Sequence, residues 1–395
     1  MKAFSSICVK ESKEHRTTRP HQLPLYATSS FEFEDIRQGM DIFTGKKTGH
    51  VYGRYGNPTI EAVAEKIAHL ETHGLDIEAM GIMFSSGMSA ISTLLMACLQ
   101  SGDKILSQGN LYGGTTELLL SVLEPLGLGT VLCNLQDLSQ VEEQLKSDPA
   151  IKMIYFETPA NPTLACVDIA ELTALAKRYH KYTAIDNTFC TPYLQQPFRQ
   201  GVDFIIHSTT KYLNGHGNSI AGIVIGRDVT FMKDHVWKTM KLLGTNCNPW
   251  DAWLTNNGLK TLHLRMAQHS SNALQIAQFL DAHPQVTKVN YNGLPSHPDH
   301  HIARRQMKGA YGGMLSFEVA GGLQSGIAFM NKIKFCSLAP TLGDVDTLIL
   351  HPASMSHINI DKAIREQNGI TDALIRLSVG IEEVKDIIED LAQAL

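Results

Sequence analysis

The sequence predicts an α/β fold in which a mostly parallel sheet carries helices on both faces. The first observation is that short apolar segments alternate with amphipathic ones from about residue 59, at the spacing of strand–helix–strand units. The second is that the short segments are apolar throughout, as in strands whose two faces are both covered. The third is the length of 395 residues, which exceeds what one hydrophobic core usually holds, so two or more domains are expected.

The alternating region, assigned to a first domain at residues 59–250, predicts its elements in order. An amphipathic helix at 60–71 precedes a strand at 79–84 and an apolar helix at 88–100. The pattern continues with strands at 104–107, 131–133, 152–156 and 182–185, and helices at 116–126 and 169–179. One more apolar run, at 205–206, predicts a buried strand just before Lys211.

The two flanking regions lack this regular alternation of strands and helices. Residues 1–58 are turn-rich, and a segment with so little core is expected to pack on another part of the fold or on another subunit. Residues 251–395 are expected to form a smaller α+β domain. Its predicted elements are a helix at 271–282, strands at 286–289 and 314–319, the second with one solvent-facing side, and a final helix at 382–395.

Charge and cysteine usage narrow the function classes. The formal net charge of -5 offers no basic surface for nucleic acid and no polybasic membrane anchor. No apolar stretch approaches a membrane span and no secretory signal is evident, so a cytoplasmic location is expected. The seven cysteines have no Cys-x-x-Cys spacing, which is typical of reduced thiols. No carboxylate or cysteine pattern completes a metal site around His297, His300 and His301, so no metal is expected.

Lys211 is the first candidate for chemistry. It follows three small hydroxyl residues, Ser208-Thr209-Thr210, at the end of a predicted buried strand. Burial lowers the pKa of an amine and makes it a nucleophile, which suits a Schiff base to an aldehyde cofactor with a phosphate group. A solvated loop lysine is the alternative interpretation, and the other strand ends decide between the two.

Ligands of open parallel sheets bind beyond the carboxyl ends of the strands, so the residues after each predicted strand are candidates. Ser85-Ser86-Gly87 opens a helix and indicates either a phosphate site or a simple N-cap. Asp186 could cap a helix or pair with a cationic pyridine nitrogen. Tyr112 could be a core residue or could stack on a flat cofactor.

One candidate lies far downstream. Arg376 sits inside an otherwise mostly apolar run. A buried arginine has to be paired, and its planar fork suits a carboxylate. Both a structural salt bridge and a clamp for an amino-acid carboxylate remain open.

Taken together, these motifs resemble the cystathionine γ-synthase/γ-lyase family, the trans-sulfuration enzymes that depend on pyridoxal 5'-phosphate. The resemblance covers about Tyr26 to Leu395. Its motifs are Tyr-Gly-Arg-Tyr-Gly-Asn-Pro-Thr at 52–59, Ser-Ser-Gly-Met at 85–88, Leu-Tyr-Gly-Gly-Thr at 111–115, Glu-Thr-Pro-Ala-Asn-Pro at 157–162, Asp-Asn-Thr at 186–188, Ser-Thr-Thr-Lys-Tyr at 208–212, Gly-Leu-Lys-Thr-Leu at 258–262 and His-Pro-Ala-Ser-Met-Ser-His at 351–357.

The resemblance implies the aspartate-aminotransferase-like fold of pyridoxal-phosphate enzymes, fold type I. It also implies cofactor roles, in which Lys211 binds the aldehyde and moves protons between carbons. Asp186 would keep the ring nitrogen protonated, Asn161 would contact the phenolic oxygen, and Tyr112 would stack on the ring and protonate the departing γ-group. The phosphate would be held by Gly87, Met88, Ser208 and Thr210.

The resemblance further implies a homotetramer built from active-site dimers. Tyr52 and Arg54 would reach the phosphate of a neighbouring subunit, with Tyr52 also near the substrate. Arg376 would clamp the substrate α-carboxylate, helped by the backbone near Thr341. The implied activity is γ-elimination or γ-replacement on sulfur amino acids or O-acyl-homoserine, with methionine γ-lyase and O-acetylhomoserine sulfhydrylase as alternatives.

Departures from the family pattern bear on the branch. Methionine γ-lyases commonly have a cysteine where this chain has Gly114, and a Lys-Asp pair where it has Met240-Lys241. Both differences weigh against a dedicated methionine γ-lyase. Three further departures, where many members have aspartate, arginine and serine, leave the physiological substrate open: Asn218, Asn257 and Thr341.

Two other classes are disfavoured. A nicotinamide oxidoreductase would need Gly-x-Gly-x-x-Gly after its first strand, which this sequence lacks. A binding protein without catalysis would have no physical use for Lys211, Asp186, Tyr112 and Arg376 together.

Overall fold

The computed structural model describes residues 2–10, 20–356, 358 and 362–395. Position 357, the last of one family motif, and residues 11–19 of the N-terminal segment lie outside these ranges. Within them, the helices are α1 Phe4–Val9, α2 Ile36–Phe43, α3 Pro58–Glu71, α4 Gly87–Cys98, α5 Gly113–Glu117, α6 Leu138–Ser147, α7 Ile169–Arg178, α8 Thr191–Leu194, α9 Val229–Phe231, α10 Lys238–Leu243, α11 Pro249–Leu259, α12 Leu262–Asp281, α13 His300–Gln306, α14 Gly322–Lys332, α15 Lys362–Gln367 and α16 Val384–Ala394.

Seven strands form the larger sheet, in the order β1-β7-β6-β5-β4-β2-β3. They are β1 Met80–Phe84, β2 Lys104–Ser107, β3 Gly129–Leu132, β4 Ile151–Glu157, β5 Tyr182–Asp186, β6 Phe204–Ser208 and β7 Gly222–Gly226. Strands β2 to β6 pair in parallel, whereas β7 runs antiparallel to both β1 and β6. Buried apolar clusters cover both faces, which is why these strands are apolar throughout.

The smaller sheet has the order β10-β11-β12-β9-β8. Its strands are β8 Val286–Asn290, β9 Met314–Val319, β10 Ser337–Leu338, β11 Leu348–Leu350 and β12 Leu374–Ser378. The pairs are antiparallel except for β10 and β11. The α/β fold with a mostly parallel sheet is confirmed. The division of the chain at residues 58 and 250 remains a prediction.

The helices that border the sheet edge begin where the sequence supplies caps. Asn57 accepts the N–H of Thr59 with its side chain, and Pro58 occupies the first turn of α3, where its missing N–H costs nothing. Ser86 and Ser89 cap α4 reciprocally, each side chain bonding the other's backbone N–H. Both helices therefore start at fixed points relative to β1.

Several elements differ from the sequence-based expectations. Strand β7 was not predicted, and helix α12 starts at Leu262 rather than at 271. The expected helix at 116–126 is broken into α5, a π-helical turn and a 3-10 turn, with Leu120 and Leu126 exposed. The expected solvent-facing side of β9 is wrong, because α14 and the neighbouring strands bury all of its residues but Glu318.

Two findings concern the rest of the chain. In the N-terminal region the described residues include two helices, and Cys8 of α1 lies in the main core. No helix of the described residues is long and apolar enough to cross a membrane.

Candidate active site

A cavity of about 240 Å³ lies at the carboxyl edge of the larger sheet. The smaller sheet covers it with strand β12 and with the loop at 340–342. Ten of the twelve predicted site residues line it. The lining residues are Ser86, Gly87, Met88, Ile91, Tyr112, Glu157, Pro159, Asn161, Asp186, Thr188, Phe189, Ser208, Thr210, Lys211, Ile220, Pro340, Thr341, Leu342 and Arg376.

One end of the cavity is built for an anion. Helix α4 begins at Gly87, so the first N–H groups of the helix and the positive end of its dipole face the cavity. A Cβ on Gly87 would lie 2.8 Å from the Cβ of Ser208, so only glycine lets the helix start this close to β6. Thr210 is fixed by the N–H of Ala221, which donates to its hydroxyl at 3.1 Å.

Lys211 lies in the connection 209–221, which joins the antiparallel strands β6 and β7. The residues on either side of this connection, Ser208 and Gly222, are paired with each other. Its amine donates to the Thr341 hydroxyl at 2.7 Å. Burial lowers the pKa of the Lys211 amine, and the positive charge of Arg376 lowers it further. Both effects favour the neutral amine, which is the nucleophilic form.

Asp186 ends β5 and lies in register with Glu157 at the end of β4. Its carboxylate accepts the N–H of Thr188 at 2.9 Å. Burial raises the pKa of Asp186, while hydrogen bonds from Thr188 and the nearby His207 oppose this. A cationic ring nitrogen would complete the environment of this carboxylate.

Tyr112 precedes α5 and is 51% exposed at the rim of the cavity. Its backbone N–H donates to both carboxylate oxygens of Glu157, each at 3.0 Å. Glu157 opens one of the motifs that carry the family resemblance, but that resemblance assigns it no role. The rule that found Asp186, an acidic residue directly after a strand, could have found it.

Arg376 enters the cavity from β12 and is 7% exposed. One guanidinium nitrogen donates to the backbone oxygen of Thr341 at 2.8 Å. Burial lowers the pKa of Arg376 to about 10, so the side chain remains charged at neutral pH. No carboxylate of the described residues is paired with it, so the structural salt bridge considered from the sequence does not form there.

Tyr52 and Arg54 are not brought to this cavity within one chain. Tyr52 is 42% exposed. The Arg54 guanidinium donates to the backbone oxygen of Lys241 and lies over the rings of Tyr52 and Tyr55, 5.6 and 5.1 Å from their centroids. The two residues therefore remain candidates for a site outside their own chain.

The residues present fit pyridoxal 5'-phosphate. In the described part of the chain, Asn161 Oδ1 and Arg376 Nε are buried without a hydrogen-bond partner, and both residues line the cavity. Such groups are costly unless a ligand satisfies them. The anion-binding end at Gly87 suits the phosphate, Asp186 suits the ring nitrogen and Lys211 suits the aldehyde.

The fold and the site thus define a pyridoxal-phosphate enzyme of the aspartate-aminotransferase type. A family model described as Cys/Met metabolism PLP-dependent enzyme matches residues 5–395. The chain belongs to this family, and its cofactor is pyridoxal 5'-phosphate.

Individual relatives and solved structures agree with the family. L-methionine gamma-lyase of Fusobacterium nucleatum subsp. nucleatum is 44% identical over 94% of this chain and 93% of its own length. Cystathionine beta-lyase of Lactococcus lactis subsp. cremoris is 40% identical over 96% of this chain and 95% of its own. The crystal structure of cystathionine gamma-lyase from Lactobacillus plantarum, complexed with L-serine, covers 100% of this chain and 98% of its own, with 36% identity and a TM-score of 0.90.

Proposed function

We propose that this enzyme eliminates or replaces the γ-substituent of sulfur amino acids or O-acyl-homoserine, as cystathionine γ-lyases and γ-synthases do. The observation that carries the proposal is the single cavity lined by Lys211, Asp186, Tyr112 and Arg376. It combines an amine of lowered pKa, a carboxyl group, a phenol and a guanidinium, which suits proton transfers on an amino acid whose carboxylate is clamped.

The cofactor would be held at three points. Gly87, Met88, Ser208 and Thr210 would bind its phosphate, Asp186 its ring nitrogen and Asn161 its phenolic oxygen. When bound, pyridoxal phosphate supplies an electron sink for the negative charge that develops at the substrate α-carbon.

Two side chains would move protons. The Lys211 amine would take the proton from the substrate α-carbon, since burial and Arg376 favour its neutral form. The Tyr112 hydroxyl would give a proton to the departing γ-substituent. Thr341 would hold the Lys211 amine through the hydrogen bond of 2.7 Å.

Arg376 would hold the substrate by its α-carboxylate. Its charge is already fixed in the cavity by the backbone oxygen of Thr341, while its buried Nε has no partner among the described residues. A bidentate contact would satisfy that nitrogen and orient the α-carbon towards Lys211.

Methionine γ-lyase is a second candidate, favoured by the 44% identity to the Fusobacterium enzyme. Gly114 bears on the choice. A Cβ at this position would lie 2.6 Å from Cε1 of Tyr112 and 3.3 Å from the sulfur of Met88. A cysteine at 114 would therefore require the Tyr112 ring to shift, and its absence here favours the trans-sulfuration interpretation.

Product analysis separates the branches. The purified holoenzyme is incubated with cystathionine, with methionine, and with acylated homoserine in the presence and absence of a thiol. Cysteine with 2-oxobutanoate from cystathionine supports γ-elimination, and a thioether from acylated homoserine supports γ-replacement. Methanethiol from methionine as the main product would favour the second candidate, and pyruvate with homocysteine would reveal β-elimination.

We further propose that Tyr52 and Arg54 serve the cavity of a neighbouring subunit in a homotetramer of active-site dimers. Mixing two inactive variants tests this. A dimer of one Lys211→Ala and one Arg54→Ala subunit would contain one site with both defects and one intact site. Activity should therefore reappear after unfolding and refolding the two together, whereas no recovery would contradict a shared site.

The domain division and the cellular location are proposed from the sequence. The division into an N-terminal segment, a cofactor domain at 59–250 and a C-terminal domain at 251–395 is proposed from the sequence pattern. The cytoplasmic location is proposed from cysteine usage.

A further inference from the structure

Glu157 lies at the floor of the cavity and has no part in the chemistry described above. Its side chain is 6% exposed, and it ends β4 in register with Asp186. Both of its oxygens accept the backbone N–H of Tyr112. Glu157 thus joins the rigid edge of the sheet to the loop that carries the Tyr112 ring.

The backbones of Glu157 and Asp186 are paired on neighbouring strands, which lie about 5 Å apart, and both side chains line the cavity. A low-dielectric site disfavours ionisation of two such carboxyl groups at once. Asp186 is the better anion. It is partly exposed to the cavity and accepts the N–H of Thr188. The Thr188 hydroxyl accepts the N–H of Ser208, which leaves its own proton free to turn towards Asp186.

Glu157 lacks comparable support. The titratable groups beside it are the carboxylate of Asp186 and the phenol of Tyr155, and neither brings positive charge. Burial raises the pKa of Glu157 well above its ordinary value, and the charge of Asp186 raises it further. The single N–H of Tyr112 offsets only part of this effect. His207, in contrast, acts on Asp186 to favour its anion.

We propose that Glu157 is a positioning residue that stays protonated, anchors the backbone of Tyr112, and leaves Asp186 as the anion at the cavity floor. The inference rests on the proposed function, because Tyr112 and Asp186 are both expected to contact the cofactor ring. If Glu157 is neutral, Asp186 is the carboxylate that pairs with the cationic ring nitrogen of the cofactor.

Glu157→Gln and Glu157→Ala test this in the holoenzyme. Glutamine copies a neutral acid and keeps a carbonyl acceptor for the Tyr112 N–H. We expect it to leave the pH midpoint of the cofactor absorbance unchanged and the cofactor Kd within about threefold of wild type. Alanine removes the anchor and should raise the cofactor Kd about tenfold, the effect of one lost hydrogen bond. Asp186→Asn, which removes the anion, should shift the midpoint.

Several results would overturn the inference. They are a midpoint moved by a full pH unit in Glu157→Gln, wild-type affinity in Glu157→Ala, or an unshifted midpoint in Asp186→Asn. If Glu157→Ala does not fold, the glutamine variant alone decides. Failure of the proposed function would be distinguishable, because wild-type protein would then carry no cofactor on Lys211.

Discussion

The two sides of the active-site cavity are built differently. On the cofactor side, glycines bring backbone against backbone, since a Cβ on Gly87 or Gly222 would collide with Ser208 or with the carbonyl of Ser86. On the substrate side, the smaller sheet contributes side chains from one strand and one loop, chiefly Thr341 and Arg376. The cofactor side is therefore fixed by the fold itself, whereas the substrate side can change by single substitutions.

The largest effect is expected on the cofactor side. Lys211→Ala should lower turnover by at least about a thousandfold, because no other lysine of the described residues lines the cavity and could replace the base. Borohydride reduction and peptide mapping should find the pyridoxyl label on Lys211 in wild type and none in the variant. The exposed Lys233→Ala is the matched control. Full activity in Lys211→Ala would refute the assignment.

The next effect probes the substrate side. Arg376→Ala should raise the KM for an amino-acid substrate between about tenfold and a hundredfold, since one charge-assisted contact contributes about 1.5–3 kcal/mol. The cofactor Kd should change far less, because Arg376 belongs to the other side. Steady-state kinetics and cofactor titration check both values, with the exposed Arg304→Ala as control. An unchanged KM would remove the carboxylate clamp from the mechanism.

A smaller effect tests the backbone fit of the cofactor side. Gly87→Ala should weaken cofactor binding about tenfold, because the new Cβ pushes α4 away from Ser208. Gly113→Ala is the matched control, since a Cβ there meets open space. Equilibrium titration of the apoenzyme measures both. Equal Kd values in the two variants would mean that the close approach is not required.

The smallest effect concerns a histidine whose ring packs at 5.2 Å against the ring of Tyr212, the residue after Lys211. His269 of α12 is fully buried, and its Nδ1–H donates to the backbone oxygen of Val379 at 2.7 Å. Burial lowers the pKa of His269 to about 4, below the ordinary value of 6.5. Its neutral form stabilises the fold above pH 6.5, and this contribution is lost progressively as the pH falls from 6.5 towards 4.

Wild type should therefore lose about 1 kcal/mol of unfolding free energy between pH 7.5 and 5.5 through this residue. His269→Gln should lack that part of the pH dependence, and the exposed His301→Gln should retain it. Urea unfolding at the two pH values provides the measurement. Parallel pH profiles for wild type and His269→Gln would show that this histidine does not contribute to the pH dependence of the unfolding free energy.

The sequence could place the cofactor-side residues at strand ends around one cavity, because position along a strand carries that information. Lys211 and Asp186 follow strands, and the carboxyl ends of parallel strands meet at one edge. Strand β7 was not predicted. Its antiparallel pairing with β1 and β6 depends on residues that are distant in the sequence. The contact between Gly87 and Ser208 was equally hidden, since it depends on how α4 packs against β6.

Other contacts in the site could not be predicted from the sequence, because they join residues that are far apart along the chain. The bond from Glu157 to the Tyr112 backbone joins residues 45 positions apart and leaves no trace in composition. The resemblance implies that Thr341 lies near Arg376, and the structure adds the hydrogen bond from Lys211 to the Thr341 hydroxyl. Tyr52 and Arg54 could be recognised by their motif, but their own chain does not carry them to the cavity.

The connection 209–221 has a consequence for the order of folding. Pairing of β6 with β7 is local in sequence, so it positions the amine of Lys211 at a low entropic cost of loop closure. Arg376 reaches the same place only after the distant β12 has docked. We therefore expect Lys211 to reach its final position earlier in folding than Arg376, whereas a phosphate contact from Tyr52 and Arg54 has to wait for a second subunit.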